Sequence, residues 1–312
     1  MNWVSILNFL GTDATTQGLI WTIFALGVFI TYRILDVADL SVESVFPFSA
    51  IISLFCINAG VHPILAILIA ILLGGVIGFI NGCLHVYLKI NPLLAGIIIM
   101  VALYSPNVLI SSGNIVLKAG KFTVFTGLDT LLNNYIVSKL IVLGVIAIAT
   151  MLLMYWFFGT ELGLSLRAAG KNANMARAQG INTNSRYLMG MVISAMLIAL
   201  AGALYGQMSK HVSADAGKGS IVIGLTIIFI GEVLLGHRSF KLSLFSVILG
   251  GIIYWLIIDI IIQIPGFNTN YLNLLKGIFI TFVVIIPEVK KYINKRKRKT
   301  SFPLSKEEIS HD

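Results

Sequence analysis

Charged residues are scarce in this sequence of 312 residues: only 11% are Asp, Glu, Lys or Arg, against roughly 25% in an average soluble domain. Hydrophobic residues make up 57% of the chain, and its mean hydropathy is +0.94. A soluble fold needs a polar surface that this composition does not supply. We therefore interpret the chain as a polytopic membrane protein, in which lipid surrounds the apolar surface.

The patterns of common enzyme and metal sites are missing as well. The two cysteines, Cys56 and Cys83, lie inside apolar stretches, which indicates packing residues rather than a disulfide or a metal site. The five histidines are scattered, and no His-Glu-x-x-His motif or nucleophile–base set occurs. We predict no catalytic residue, no metal site and no cofactor in this chain.

A phosphate-binding loop of the form Gly-x-x-x-x-Gly-Lys-Ser/Thr is also absent. The Gly-Lys pairs at 120–121, 170–171 and 217–218 are followed by Phe, Asn and Gly. The chain therefore cannot hydrolyse ATP by that device. The net charge of +9 does not indicate nucleic-acid binding, because no aromatic or groove-reading elements accompany the basic residues.

Long apolar runs dominate what is present. A helix that spans a bilayer needs about 20 apolar residues. Nine stretches are predicted to span, and the two shortest, 45–61 and 220–236, are candidates for broken or re-entrant helices. Residues 3–10 are too short to span and are expected to lie in the interface. The nine predicted spans are 17–35, 45–61, 63–88, 90–111, 135–158, 187–208, 220–236, 243–263 and 271–288.

The distribution of Lys and Arg predicts the orientation. The tail "KKYINKRKRK" carries seven basic residues directly after the last predicted span, which places it in the cytoplasm. With nine spans the amino terminus is then outside, and sixteen Lys and Arg fall inside against four outside. The four outside are 118, 121, 210 and 218. A basic tail of this kind is expected to bind anionic lipid headgroups.

A polar segment interrupts the apolar pattern near the middle of the chain. Residues 164–186, "LSLRAAGKNANMARAQGINTNSR", lie on the predicted cytoplasmic side. Asn172 is a good N-cap and Gly180 a good C-terminal stop, so a helix of about two turns is predicted between them. So short a helix needs packing to be stable. A plain connecting loop is the alternative, but the length of the segment favours a docking surface for a cytoplasmic partner, where Arg177 could meet a carboxylate.

The stretch "GTELGLSLRAAGKNANMARAQGIN" resembles the coupling segment of bacterial ATP-binding-cassette (ABC) permeases of the branched-chain amino acid and ribose type. The resemblance rests on a spaced set of small, polar and basic residues. It implies that the short helix inserts into a cleft of a separate ATPase subunit, with Arg167, Gly170, Asn172, Ala176, Arg177 and Gly180 as the coupling residues. The matching positions are Thr160, Gly163, Arg167, Ala168, Gly170, Asn172, Ala176, Gly180 and Ile181.

Two further stretches resemble the same family. "DVADLSVESVFPFSA" (36–50) is similar to an Asp-Leu-Ser-Val-Gly-Ser element of its sugar branch, with Glu43 in place of the glycine, and "GEVLLGHRSFKLSLFSVILGG" (231–251) is similar to a late glycine-rich element. "YRILDVADLSVES" and "INPLLAGIIIMVALYS" resemble a subgroup predicted to import aromatic amino acids such as tryptophan or tyrosine.

The resemblance implies an all-α polytopic protein of about nine transmembrane helices, with the bundle of a type II-like ABC importer permease. Residues 1–290 would form the permease domain, which contains the coupling segment 159–186, and residues 291–312 a basic cytoplasmic tail. The implied partners are separate ATPase subunits that bind ATP and Mg²⁺, an extracytoplasmic substrate-binding lipoprotein and a second permease copy. The implied location is the bacterial cytoplasmic membrane.

The residues that line the translocation path are harder to identify from the sequence. Three acidic residues follow the first span: Asp36, Asp39 and Glu43. One interpretation is an acidic cytoplasmic turn next to Arg33. The resemblance suggests the other, an irregular stretch that enters the membrane beside the path. The residues assigned to the path are Asp39, Ser41, Glu43, Ser44 and Asn91.

Asp259 and Lys276 lie at similar depth on either side of the 264–270 loop and are predicted to form a structural ion pair. A sugar or nucleoside permease of the same family remains an alternative. An ion-coupled secondary transporter is a further one, although only Asp259 lies plainly within a predicted span.

Overall fold

Apolar helices make up almost all of the described structure. The computed structural model describes residues 3–126, 135–236 and 239–263, and beyond these only residues 274, 277, 278, 281 and 285. The chain divides into two units, residues 1–267 and 268–312. In the second unit the hydroxyl of Thr281 donates to the carbonyl of Gly277, as in a helical turn. The predicted boundary at 290/291 lies outside the described residues and stays a prediction.

Ten α-helices and one two-stranded sheet are described. Helix α1 continues into a π-helical turn over Ile30–Ile34, and strands β1 and β2 pair antiparallel with Ile115 opposite Val212. The elements are α1 (Trp3–Phe29), α2 (Val42–Asn58), α3 (Pro63–Val86), α4 (Pro92–Ser111), β1 (Asn114–Val116), α5 (Tyr135–Gly159), α6 (Glu161–Lys171), α7 (Ala173–Ala178), α8 (Thr183–Ser209), β2 (His211–Ser213), α9 (Ser220–Leu235) and α10 (Phe240–Ile262).

Six of these helices are long and apolar enough to cross a bilayer: α1 with its π-helical turn, α3, α4, α5, α8 and α10. Helices α2 and α9 are apolar but have only 17 and 16 residues, which agrees with the expectation that these two stretches are short. The ninth predicted span, 271–288, lies almost wholly outside the described residues, so the count of nine stays a prediction. Residues 3–10 continue into α1 instead of forming a separate segment.

Small residues allow α3 and α8 to pack closely. A Cβ atom on Gly74 would overlap Ala199, and one on Gly78 would overlap Ala195 and the carbonyl of Met191. Close approach through small side chains is the usual way in which helices associate inside a membrane. The glycines of α3 therefore form a face against which α8 packs.

Many of the described helix ends, though not the starts of α2 and α9, fall on two faces of the first unit. One face holds α6 and α7 together with the π-helical end of α1, the end of α3 and the start of α4; we call it the α6–α7 face. The other holds strands β1 and β2 and the end of α2; we call it the hairpin face. The basic residues predicted to lie outside are on the hairpin face. Those predicted to lie inside, as far as they are described, are on the α6–α7 face: Arg33, Lys89, Arg167, Lys171, Arg177, Arg186 and Lys241.

Helix α2 starts inside the bundle and not at a face. The chain leaves the π-helical turn, runs without regular structure through residues 36–41 and begins α2 at Val42. The hydroxyl of Ser44, in the first turn of α2, donates to the carbonyl of Met100 at 2.8 Å, near the middle of the 20-residue α4. Backbone of this irregular kind is stable at membrane depth only where protein or a cavity surrounds it.

Candidate functional site

A buried polar junction joins the irregular segment 36–41 to two neighbouring helices. Asp39 Oδ1 accepts hydrogen bonds from the backbone N–H of Ser41 at 2.9 Å and from Asn81 Nδ2 of α3 at 2.9 Å. On the α4 side, a Cβ atom on Gly96 would lie 2.7 Å from the backbone nitrogen of Leu40 and 3.0 Å from Asp39 Oδ1. The segment is therefore held inside the bundle by a carboxylate, an amide and a glycine.

A second contact lies deeper, where the two short helices begin. Glu43 Oε1, in the first turn of α2, accepts a hydrogen bond from the backbone N–H of Gly219 at 3.1 Å, and Gly219 directly precedes α9. A Cβ atom on Gly217 would overlap the carbonyl oxygen of Glu43, so this loop approaches the start of α2 as closely as backbone allows. Broken helices that start near one another inside a bundle are typical of transporter binding sites.

A cavity of about 350 Å³ opens beside this contact on the hairpin-face side. Its wall combines the first turn of α2, the middle of α4 and the loop before α9. It carries charges of both signs, two hydroxyl groups and one aromatic ring. The lining residues are Glu43, Ser44, Met100, Val101, Tyr104, Ser105, Ala214, Asp215 and Lys218.

The basic group of this cavity is paired. Lys218 Nζ lies 2.8 Å from Asp215 Oδ1, and the two side chains are 71% and 50% exposed. The hydrogen bond to Asp215 raises the pKa of the Lys218 ammonium above its ordinary value, so the group stays protonated at physiological pH. The same nitrogen lies 5.9 Å from the ring centre of Tyr104, within the range of a cation–π contact.

A second cavity, of about 860 Å³, lies on the α6–α7 face. Val37, His85 and Pro92 line its inner end, and Gly170 and Arg177 line it from the α6–α7 side. It thus brings two of the predicted coupling residues next to the segment that leads to Asp39.

Several buried polar atoms near these sites have no hydrogen-bond partner among the described residues. They include Asn81 Oδ1, Asn107 Oδ1 and Ser220 Oγ. Asn107 uses its other side-chain atom, Nδ2, to donate to the carbonyl of Ser44, next to the smaller cavity. Buried polar atoms without partners are uncommon in folded proteins.

The short helix predicted in the polar segment is present as α7. Asn172 caps it, with Oδ1 accepting from the backbone N–H of Met175 at 3.0 Å, and Gly180 follows its end with φ of 81°. Ala176 is buried and holds the helix against the protein. The boundaries therefore agree with the prediction, while the role in coupling stays a prediction.

Close backbone contact fixes α6 against α1. A Cβ atom on Gly170 would overlap the carbonyl oxygen of Ile34 in the π-helical turn. Arg167 lies on the same helix, and its guanidinium carbon is 4.5 Å from the ring centre of Phe240 at the start of α10. Helix α6 is therefore in direct contact with the end of α1 and the start of α10.

Arg177 has a hydrogen-bond partner within the chain, and its predicted contact with a carboxylate of a partner subunit stays a prediction. Its Nε donates to the hydroxyl of Thr183 at 2.9 Å, which ties α7 to the start of α8. Met175, also on α7, is a large apolar side chain that is 61% exposed. Sequence reasoning did not single out Met175, although one large apolar residue in a short capped helix of otherwise small and polar residues is a signal for a contact surface.

Two further predicted positions lie apart from this site. Asn91 is exposed and caps α4, with Oδ1 accepting from the backbone N–H of Leu93 at 3.0 Å, so the structure does not bring it together with Asp39, Ser41, Glu43 and Ser44. Asp259 lies in the last turn of α10, whereas Lys276 is outside the described residues. The predicted ion pair between them therefore stays a prediction.

The described part of the chain contains no group of three His, Cys, Asp or Glu side chains that could hold a metal ion.

Comparison with known protein families gives one match that spans most of the chain. Residues 12–284 match the family described as branched-chain amino acid transport system, permease component. The chain belongs to this family. The resemblance seen in the coupling segment is thereby confirmed, and the permease is a multi-pass membrane protein of a transport system.

Individual relatives of the permease differ in the solutes that their names give. The tyrosine transport system permease protein of Clostridioides difficile (strain R20291) is 36% identical over 266 residues, which cover 85% of this chain and 87% of the relative. The D-allose transport system permease protein AlsC of Escherichia coli (strain K12) is 27% identical over 250 residues, or 78% and 72% of the two chains. The fructose import permease protein FrcC of Rhizobium meliloti is 27% identical over 262 residues, or 80% and 70%. No solved structure matches the permease.

Proposed function

We propose that the permease is the membrane subunit of an ATP-driven bacterial importer whose solute is an aromatic amino acid such as tyrosine or tryptophan. It works as a pair of permease copies in the cytoplasmic membrane. Two separate ATPase subunits bind ATP and Mg²⁺ below it, and an extracytoplasmic binding lipoprotein delivers the solute above. The carboxyl-terminal tail lies in the cytoplasm and contacts anionic lipids.

The observation that carries the proposal is the pair of cavities along α4. Pro92 lines the cavity of the α6–α7 face, Gly96 faces Asp39, and Met100 and Tyr104 line the cavity of the hairpin face. The Asp39–Asn81 junction thus lies at the depth between the two cavities. An importer that opens alternately to either side needs such a barrier between two chambers.

Movement of α6 and α7 is well placed to act on this barrier. Gly170 contacts the carbonyl of Ile34, and five residues later along the chain Asp39 forms the junction. A push on α7 by the ATPase subunits would displace α6, then the end of α1, and with it the segment 36–41. ATP hydrolysis is in this way converted into a change in which cavity is open.

The choice of solute is supported by the relative at 36% identity, which is named a tyrosine transport permease, while the sugar permeases among the relatives are near 27%. The smaller cavity adds a physical reason. Its wall has carboxylates, an ammonium group and an aromatic ring, which complement an amino acid better than they complement a neutral sugar.

The test is uptake by proteoliposomes that contain the permease, its ATPase and its binding protein. The ATPase subunits face the vesicle interior, and the ATP is enclosed there. We expect this ATP to drive uptake of labelled tyrosine or tryptophan. An imposed proton or sodium gradient without ATP should drive no uptake. Uptake of D-allose or a nucleoside with no uptake of amino acids would assign a different solute. Gradient-driven uptake without ATP would make the permease a secondary transporter and overturn the proposal.

A further inference from the structure

The smaller cavity is lined by charges of both signs that come from separate parts of the chain. Glu43 belongs to the first turn of α2, and Asp215 and Lys218 belong to the loop between β2 and α9. The volume of about 350 Å³ is at the lower end of the range of about 300–1,000 Å³ that is usual for small-molecule pockets. The cavity therefore suits one small solute.

The acidic group of α2 is held in a fixed position. The N–H of Gly219 donates to Glu43 Oε1, and Gly217 packs against the Glu43 backbone. The backbone of Ile221 also contacts this carboxylate. An ionised carboxylate has about four acceptor sites, so these two backbone contacts leave capacity for a further donor in the cavity. A cationic donor is the partner that such a partly buried carboxylate prefers.

The basic group, by contrast, can exchange its partner at little cost. The Lys218–Asp215 pair is solvent-exposed on both sides, and exposed ion pairs of this kind contribute little to stability. An incoming carboxylate can replace Asp215 at Lys218 Nζ.

An aromatic ring borders the charged groups. Tyr104 lies within 5.9 Å of Lys218 Nζ, and Met100 and Val101 continue the apolar wall along α4. A solute that places its carboxylate at Lys218 therefore places its side chain beside an aromatic and aliphatic surface. An aromatic side chain gains attraction from ring–ring pairing there in addition to the burial of its area.

We propose that this cavity binds a free α-amino acid by both of its charged ends: Glu43 accepts the ammonium group, Lys218 binds the carboxylate, and Tyr104 packs against the side chain. The inference rests on the proposed function and adds the residues that recognise the solute inside the membrane subunit. A simple anion is disfavoured by the two carboxylates. A neutral sugar would leave Glu43 without a cationic donor.

The experiment is saturation-transfer NMR on the complex of full-length permease and ATPase in nanodiscs, without the binding protein. The probes are L-phenylalanine, phenethylamine (no carboxylate), 3-phenylpropionate (no ammonium) and D-allose. We expect L-phenylalanine to bind at least tenfold more tightly than either single-charge probe, because each of those probes lacks one of the two charge-assisted hydrogen bonds. D-Allose should not compete.

Two variants separate the two ends of the solute. Glu43→Gln keeps an oxygen for the Gly219 N–H but removes the charge, so L-phenylalanine should bind no better than 3-phenylpropionate. Lys218→Met is an exposed change that leaves folding intact, and L-phenylalanine should then bind no better than phenethylamine. The controls are Glu161→Gln on α6 and Lys121→Met on the hairpin face, which do not line the cavity and should leave all affinities unchanged.

Failure of this inference is distinguishable from failure of the proposed function. If ATP-driven uptake of an amino acid is found but both variants keep the full preference for L-phenylalanine, the cavity assignment is overturned and the function stands. If Glu43→Gln and Lys218→Met shift the probe affinities as expected but no amino acid is transported, the cavity assignment stands and the function fails. Competition by D-allose would overturn the assignment to amino acids.

Discussion

Asn81 and Asp39 are 42 positions apart in the chain, yet Asn81 Nδ2 donates to Asp39 Oδ1 at 2.9 Å inside the bundle. The same amide nitrogen lies 3.1 Å from the hydroxyl of Ser41. Asp39 and Asn81 are 5% and 1% exposed, so water cannot replace a lost partner, and loss of one partner should lower the stability of the fold. This bond connects an irregular backbone segment to a long helix at the depth between the two cavities.

Replacement of Asp39 tests whether the junction needs an acceptor or a charge. Asp39→Asn keeps an oxygen for the Ser41 N–H and the Asn81 amide, so we expect stability and uptake near the native level. Asp39→Ala leaves the Ser41 N–H without an acceptor and leaves the Asn81 amide with only the Ser41 hydroxyl, so it should lower the free energy of unfolding by about 1–3 kcal/mol. Thermal unfolding in detergent measures both. If Asp39→Asn is as damaging as Asp39→Ala, the negative charge itself is required.

The close approach of α4 to the junction gives a second prediction. Gly96→Ala would place a methyl group against the Leu40 nitrogen and Asp39 Oδ1, so we expect the segment 36–41 to be displaced and uptake to fall at least tenfold. Gly144→Ala on α5 is the matched control, because a Cβ atom there has nothing within 4 Å. Normal uptake by Gly96→Ala would show that the barrier is not at this position.

The local features of the coupling segment were predictable from the sequence, whereas the central contacts were not. The Asn172 cap and the Gly180 stop follow from the preferences of single residues over a few positions, and both are present. The bond between Glu43 and Gly219 joins positions 176 apart, and no local preference specifies such a contact. It depends on how the helices pack.

For Asn91 the local structure was predictable from the sequence, whereas its position relative to the other path residues was not. An asparagine before a proline at the start of an apolar run is an N-cap signal, and the structure places Asn91 as a cap. Its assignment to the translocation path came from the resemblance of the surrounding stretch. The short lengths of α2 and α9 were readable from the sequence, but their common starting depth required the fold.

The cap of α7 supplies a third prediction. Asn172→Ala should cost about 1 kcal/mol in a helix of only six residues, because it removes the acceptor for the Met175 N–H. Amide hydrogen exchange over residues 173–178 should become about fivefold faster, because 1.4 kcal/mol corresponds to a factor of ten and the expected loss is about 1 kcal/mol. Asn172→Asp retains the acceptor and should exchange at the native rate. Unchanged exchange in Asn172→Ala would mean that Ala176 packing alone maintains the helix.

The exposed side of α7 supplies a fourth prediction. Met175→Asp places a charge on a side chain that is 61% exposed, so folding of the permease should be unaffected. Docking of the ATPase should weaken, since an apolar contact is replaced by a hydrated carboxylate. We expect solute-stimulated ATP hydrolysis to be lost at equal expression and to be kept in Met175→Leu. Full stimulation in Met175→Asp would place the ATPase contact elsewhere.

The central claim is that α7 lies in the cytoplasm and carries the ATPase contact. Photo-crosslinking in cells tests it most directly, with p-benzoylphenylalanine placed at position 175 and, as a control, at position 116 on the hairpin face, which is 58% exposed. The account predicts a crosslink from position 175 to an ATP-binding subunit and none from position 116. A crosslink to that subunit from position 116, or none from position 175 in a complex that retains its ATPase, would contradict it.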